Sequence, residues 1–299
     1  MNEVRNLLEA RLPGLYPDIE RLLVEAEAQF DARAGQVQSE FLLEHTRRTA
    51  AIAYKISVME GVDPFLPVLV ALYHDAGKFH EGDYHQDAIP EEEHAALLAG
   101  KMLGEFGVQQ GDIDSVLEAL RALYDERLPC AGPCRIVQDA DRLDKLGALG
   151  VGAFFTKAAL RGRGLVDALA QALSRELTYA IAAPRSMFTA TGKKLAAEQA
   201  PKSIAFFDQL LEQLESWGIA SFERHVIVLD EDFRTRDGAI ARGIEVTIAM
   251  PSTCPDCQGR LGLTHRREQG MKCERFIAYF RCSQCSYSGG TSLCLPVLA

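Results

Sequence analysis

Up to about Gly218 the chain is a succession of segments whose apolar residues recur every three to four positions, the spacing that gives a helix one buried face. It predicts helices over Asn6–Phe30, Gln36–Glu60, Pro64–Lys78, Asp112–Asp125, Cys134–Leu160, Leu165–Ala182 and Lys194–Trp217. Another opens at Pro90, where Glu91-Glu92-Glu93 suits the positive end of a helix dipole. From His225 the runs shorten. His225–Leu229, Glu245–Ala249 and Arg275–Phe280 read as strands, separated by turn residues that include Asp237-Gly238 and Gly289-Gly290. The expected fold class is mainly α: an all-helical domain over 1–221, then a small β-rich domain over 222–299.

Composition narrows the class. The 299 residues are about twice the usual domain length, and 47% hydrophobic with 25% charged residues is too apolar for disorder. A net charge of −10 excludes a wholly basic nucleic-acid coat. The longest apolar run, Phe65–Tyr73, has 9 residues, far short of the roughly 20 that cross a bilayer. No apolar segment follows Met1–Arg5 as a secretory signal would require, so a cytoplasmic protein without membrane contact is expected. In that compartment the eight cysteines point to metal or packing rather than disulfides.

Six of the cysteines lie between Cys254 and Cys294. Cys254-Pro-Asp-Cys257 and Cys282-Ser-Gln-Cys285 are two C-x-x-C units separated by 24 residues, and four thiolates so placed can close a tetrahedral zinc site. A redox dithiol needs only one such unit. The first unit, followed by Gly259, resembles a zinc-ribbon knuckle; a structural zinc on Cys254, Cys257, Cys282 and Cys285 is the expectation. Cys273 and Cys294 read as small hydrophobes of that module; Cys130 and Cys134, spaced C-x3-C, read as ordinary cysteines, against a second metal or redox role. Arg266-Arg267 with Phe276, Tyr279 and Phe280 offers a nucleic-acid surface, against the plainer reading of a solvated hairpin tip.

In the helical part, His45 shares a stripe with Phe41, Ile52, Ile56 and Met59 and points inward with them. His74-Asp75 closes the apolar run Leu66–Tyr73, and Asp141 sits in Asp139-Ala-Asp-Arg-Leu-Asp144. Acids at that density in an apolar-spaced helix are costly to bury unless a cation or arginine meets them. Taken singly, each residue also fits a hydrogen-bonded core histidine, a helix-end polar pair or a surface ion pair.

In order and context, His45 … His74-Asp75-Ala-Gly-Lys78 … Asp139-Ala-Asp-Arg-Leu-Asp144 resembles the HD-domain superfamily of metal-dependent phosphohydrolases, over roughly Gln36–Gly150. The resemblance implies an all-helical HD-type domain in which His45, His74, Asp75 and Asp141 bind one divalent cation. Two imidazoles and two carboxylates suit Mn, Fe, Co, Ni or Zn better than Mg. Such a cation can polarise a phosphoryl oxygen and activate water. Asp75 would also orient that water, and Lys78 would counter phosphate charge, against the reading of a solvated loop lysine. His94, in the first turn after Pro90, would line the pocket. His80 and His85 flank Gly82 and read as pocket rim. Family members with two metals use a further histidine where this chain has Tyr124-Asp125, so one metal is expected; the Gly-Tyr-Pro motif of the cyclic-dinucleotide branch is absent.

The sequence thus points to an HD-type phosphohydrolase with a C-terminal zinc ribbon, acting on a phosphorylated small molecule or nucleotide, with nucleic acid or protein as candidate partners of the ribbon. The rival is a non-catalytic module in which the helical domain senses a nucleotide and the ribbon docks nucleic acid or protein.

Overall fold

In the computed structural model, which describes residues 2–36, 38–79, 82, 89–125, 128–229, 233–234, 240–241, 244–269 and 274–295, helices run to Ser216 and strands follow from Phe222. Where one helix was expected over Asn6–Phe30 there are two, α1 (Asn2–Arg11) and α2 (Leu15–Ala34). Pro13 has no amide hydrogen to continue the first, and Gly14 takes a left-handed φ of 87° between them. The next helix, α3 (Phe41–Glu60), starts later than Gln36 because α2 supplies carboxylates that hold the preceding turn open. Glu27 accepts from the Leu42 amide at 2.9 Å and the Ser39 hydroxyl at 2.8 Å, and Asp31 from the Ser39 amide at 2.8 Å.

Short α4 (Phe65–Tyr73) is almost wholly apolar and buried, and it ends where the apolar run ends; residues 74–79 are turns rather than the predicted helix. Then come α5 (Glu91–Glu105), α6 (Gln110–Ala122), α7 (Pro133–Asp144), α8 (Gly147–Leu160), α9 (Leu165–Ser186) and α10 (Ala190–Ser216). The single helix expected over Cys134–Leu160 is broken between α7 and α8. Cys130 and Cys134, read as ordinary cysteines, are paired in a disulfide across the loop that enters α7. No described helix is long and apolar enough to cross a membrane.

The chain divides into two compact units. One is Met1–Asp144 with Phe188–Gly192; the other is Lys145–Met187 with Lys193–Ala299. The change from helix to strand at Phe222 therefore lies inside the second unit. In the first unit, Asp139 binds the 188–192 segment: it accepts from the amides of Phe188 and Thr189, both at 2.8 Å, and from the Thr189 hydroxyl at 2.7 Å.

In the second unit, β1 (Phe222–Leu229) pairs antiparallel with β4 (Ile244–Pro251), β2 (Phe233–Arg234) with β3 (Ile240–Ala241), and β5 (Leu261–Gln269), β6 (Glu274–Cys282) and β7 (Ser288–Leu295) form a three-stranded antiparallel sheet. Gly289-Gly290 lies within β7, not in a turn. A side chain at 289 would strike the Phe280 ring, and one at 290 the backbone of Ala278 and Tyr279, so both positions are glycine for close approach. Asp237-Gly238 lies outside the described residues.

One edge of β4 is taken by β1; α9 closes the other with hydroxyls one helical turn apart. The amides of Thr247 and Ala249 donate to Thr178 Oγ1 (3.0 Å) and Ser174 Oγ (2.9 Å); the Ser174 hydroxyl donates back to the Ala249 carbonyl at 3.1 Å, and the Thr178 hydroxyl proton is shared between the carbonyls of Ser174 (2.9 Å) and Thr247 (3.2 Å). The edge groups of β4 are thus satisfied by a helix rather than by another strand. Thr178→Val keeps the shape and strands the Thr247 amide. It should cost about 1–3 kcal/mol in urea unfolding; an unchanged midpoint would show that the hydroxyl does not carry this edge.

Candidate metal centres

His45 stands one turn into α3, His74 and Asp75 in the turn after α4, and Asp141 on α7; all four are buried or nearly so. Each imidazole has its Nδ1 committed. His45 Nδ1 lies 2.8 Å from an Asp144 carboxylate oxygen and His74 Nδ1 2.7 Å from the Ala71 carbonyl. Both partners only accept, so both Nδ1 atoms carry the proton and both Nε2 atoms keep a lone pair when the rings are neutral. The two Nε2 atoms face each other at 3.2 Å. Asp141 Oδ1 is 3.3 Å from His45 Nε2, and Asp75 Oδ2 is 3.6 Å from the same atom and 3.8 Å from His74 Nε2.

Two lone pairs aimed at one another across 3.2 Å, with carboxylate oxygens beside them, need positive charge between them. Either a cation or a proton answers. With no cation there, burial works against a proton on His45, yet the hydrogen bonds to Asp141 and Asp144 outweigh it and raise the imidazole above its ordinary value. His74, wholly enclosed, is lowered by its burial. Burial alone would raise Asp75, but the Lys78 ammonium and the imidazoles of His74 and His45 hold it far below the usual carboxylate range. His45, His74 and Asp141 are a ligand set by distance, their donor atoms all within 4.8 Å of one another.

Three further residues complete the arrangement, and sequence reasoning assigned none of them a role. Asp144, one turn beyond Asp141, receives His45 Nδ1 and is held by Arg48 at 2.6 and 3.0 Å; His45 and Arg48 depress its carboxyl against burial. Tyr124, standing where a further histidine was sought, donates its hydroxyl to Asp141 Oδ2 at 2.5 Å. The available signal was the i, i+3 spacing of Asp141 and Asp144, which puts both on one face of α7.

Lys78 meets Asp75 Oδ2 at 2.6 Å, so it is held at the site rather than in a loose loop. His94 is buried in the first turn of α5, outside the set of three ligand atoms, and Gly77 brings it near. A side chain at 77 would collide with the Glu91 carbonyl, the Ala95 amide and the His94 Cβ, so glycine lets the His-Asp turn lie directly on the start of α5. His80 and His85 lie outside the described residues.

The second centre belongs to the other unit. Sγ of Cys254 is 3.5 Å from Sγ of Cys285, and Sγ of Cys257 is 3.4 Å from Sγ of Cys282; all four lie within 4.8 Å of one another. Four thiolates about 2.3 Å from one ion stand at such separations. The knuckles are built by backbone. The Gln258 amide donates to the Cys254 carbonyl and the Cys254 amide to the Gly259 carbonyl, both at 2.9 Å, with Gln258 in a left-handed conformation. The amides of Gln284 and Tyr287 point at Cys282 Sγ and Cys285 Sγ, and the first helps to lower the Cys282 thiol to about 7. Cys273 lies outside the described residues, as does the side chain of Cys294.

Residues 42–146 match the model of the HD domain family. An uncharacterised Bacillus subtilis protein, YpgQ, is 28% identical over 172 residues, covering 56% of this chain and 80% of that protein. Its structure in complex with ADP has a TM-score of 0.49 at 23% identity, covering 67% of this chain and 96% of that one. A Lactobacillus plantarum protein has a TM-score of 0.51 at 20% identity, covering 70% and 98%. A predicted HD superfamily hydrolase from an uncultured Thermotogales bacterium has a TM-score of 0.47 at 23% identity, covering 66% and 91%.

Asp144 offers a direct test of the first centre. Asp144→Ala frees the His45 ring to turn and should weaken divalent-metal retention about 10- to 100-fold against a competing chelator. Retention equal to that of the unaltered protein would mean that the Asp144–His45 contact does not orient a ligand.

Proposed function

With an HD domain at residues 42–146 as the premise, we propose that this protein is a metal-dependent phosphohydrolase that cleaves a phosphate ester of a nucleotide or nucleic acid. The observation that carries this reading is the convergence of two Nε2 lone pairs at 3.2 Å beside Asp141 and Asp75, all buried or nearly so and all oriented by second partners. His45, His74, Asp75 and Asp141 would hold one divalent cation. The mixed imidazole–carboxylate set favours Mn, Fe, Co, Ni or Zn over Mg. When bound, the cation supplies Lewis acidity: it polarises a phosphoryl oxygen and lowers the pKa of water.

The chain's own residues do the rest. Asp144 and the Ala71 carbonyl fix both imidazole tautomers so that Nε2 is the available atom. Asp75, kept ionised by Lys78, accepts a hydrogen bond from the attacking water and sets its direction. Lys78 offsets phosphate charge next to that carboxylate. His94, at the positive end of α5, lines the place where the phosphate arrives. Tyr124 restrains Asp141 through its hydroxyl hydrogen bond. In the other unit, Cys254, Cys257, Cys282 and Cys285 hold a structural zinc, the ion best matched to a closed cage of four thiolates.

The test is a phosphoester panel run with Mn²⁺, Ni²⁺, Co²⁺ and Mg²⁺ in turn, alongside elemental analysis. One zinc and one further transition metal per chain are expected, and Asp75→Ala should abolish hydrolysis while the cysteine-bound zinc stays. No hydrolysis across the panel, or activity surviving Asp75→Ala, would sink the enzyme reading. Zinc alone, with nothing retained at the histidines, would favour a non-catalytic sensor.

A further inference from the structure

Strand β6 alternates strictly, and this separates two sets of residues that lie together in the sequence. Phe276, Ala278 and Phe280 are buried. Arg275, Ile277, Tyr279 and Arg281, between and beside them, face the other way. Antiparallel pairing extends that outer face sideways. Thr264, Tyr279 and Gly290 form one row, Arg266, Ile277 and Ser292 the next, and Gly262, Arg281 and Ser288 the row on the other side. Of the residues proposed from sequence as a nucleic-acid surface, Phe276 and Phe280 are therefore core. Arg267 stands opposite Phe276 on the inner side, leaving Arg266 and Tyr279 outside.

What surrounds Tyr279 is chemically unusual for a solvated face. Its cross-strand neighbours are Thr264 and Gly290, and the glycine is required there because a side chain would meet Tyr279 Cα and Cβ. The flank of the ring toward β7 is thus bare. The guanidinium of Arg281 sits over the ring at 5.8 Å from its centroid. Beside the ring is an open groove of about 410 Å³, lined by Ile277, Tyr279, Arg281 and Gly290 together with Gln171 of α9. Gln171 is held there by its hydrogen bond to the Ser288 carbonyl at 3.0 Å. Around the groove the outer face carries Arg266, Arg275 and Arg281 against one acid, Glu268, which Arg266 engages at 2.5 Å. This face is basic on a chain whose net charge is −10.

An open aromatic ring with an arginine over it, a bare flank beside it and cationic side chains around it have a common complement: a flat base joined to a phosphodiester backbone. We propose that the outer face of β5–β6–β7 binds single-stranded nucleic acid, with one base stacked on Tyr279 in the groove and Arg266, Arg275 and Arg281 contacting the flanking phosphates. Ser288, Ser292 and Gly290 along the groove leave room for the sugar. A duplex cannot offer an unstacked base to Tyr279, so the selectivity is for single strands. This surface is independent of whether the histidine centre hydrolyses anything.

The test uses the full-length protein with its metals and fluorescently labelled single-stranded oligonucleotides of roughly a dozen nucleotides, read by anisotropy at several salt concentrations. Binding should weaken with salt, and the same sequence as a duplex should bind more weakly. Tyr279→Ala should reduce affinity about 5- to 100-fold, while Tyr279→Phe, which keeps the π-face, should retain it. The Arg266→Gln/Arg281→Gln double variant alters only surface side chains, so it tests the surface even if Tyr279→Ala loses its zinc. It should lower the salt dependence by about 0.7 per charge removed. No binding, binding indifferent to both the Tyr279→Ala and the double variant, or equal affinity for the duplex overturns the proposal.

Discussion

Two imidazole nitrogens stand 3.2 Å apart with their protons committed elsewhere, and most of the first unit can be understood as what it takes to keep them there. His45 and His74 come from separate elements, so α3 and α4 must be fixed against each other to within a few tenths of an ångström. The Arg48–Asp144–His45 relay ties α3 to α7. Tyr124, past the end of α6, ties to the same helix through Asp141. Asp139, on another side of α7, captures the 188–192 segment by three hydrogen bonds. A buried, unmet carboxylate would cost several kcal/mol. Here each of the three acids has a partner on a different element, so the charge that makes α7 expensive to bury also fixes its position.

The candidate ligands were legible because their chemistry contradicts their surroundings. A histidine on an apolar stripe and an acid pair inside an apolar-spaced helix need an explanation, and their order along the chain supplied one. Asp144 and Tyr124 were not legible in the same way. Their roles depend on which side chain from another element faces them, and spacing along one helix carries no such information. Lys78 was a named candidate, but its contact with Asp75 depends on the tight turn over 74–79, which periodicity read as more helix.

The errors in the fold have the same origin. The expected helix from Gln36 fails because carboxylates of α2, distant in sequence, take the Ser39 and Leu42 amides. The expected continuous helix over Cys134–Leu160 fails at the backbone: Gly147 takes φ 68°, and a side chain at Gly150 would run into Lys145. Gly289-Gly290 resembles a turn because glycine favours turns, yet it serves a strand whose neighbours are aromatic. Local pattern identified the type of element well; it failed where a second element supplied the deciding contact.

The two candidate centres differ in a way that decides which of them can do chemistry. Four thiolates at tetrahedral separation fill every position around an ion, and the backbone amides on Cys282 and Cys285 hold two of those sulfurs in place. Such a cage can contribute folding free energy to a small sheet and leaves no position for water or substrate. Imidazole nitrogens and carboxylate oxygens behave differently. Three or four such ligands would leave positions free on an ion that accepts five or six, and the only cationic side chain among the residues placed at this site in the proposed mechanism, Lys78, is already drawn to Asp75. On the proposed function, the charge of an arriving phosphate would then be met largely by the cation itself. That requirement would make an occupied histidine centre the condition for binding substrate there as well as for cleaving it.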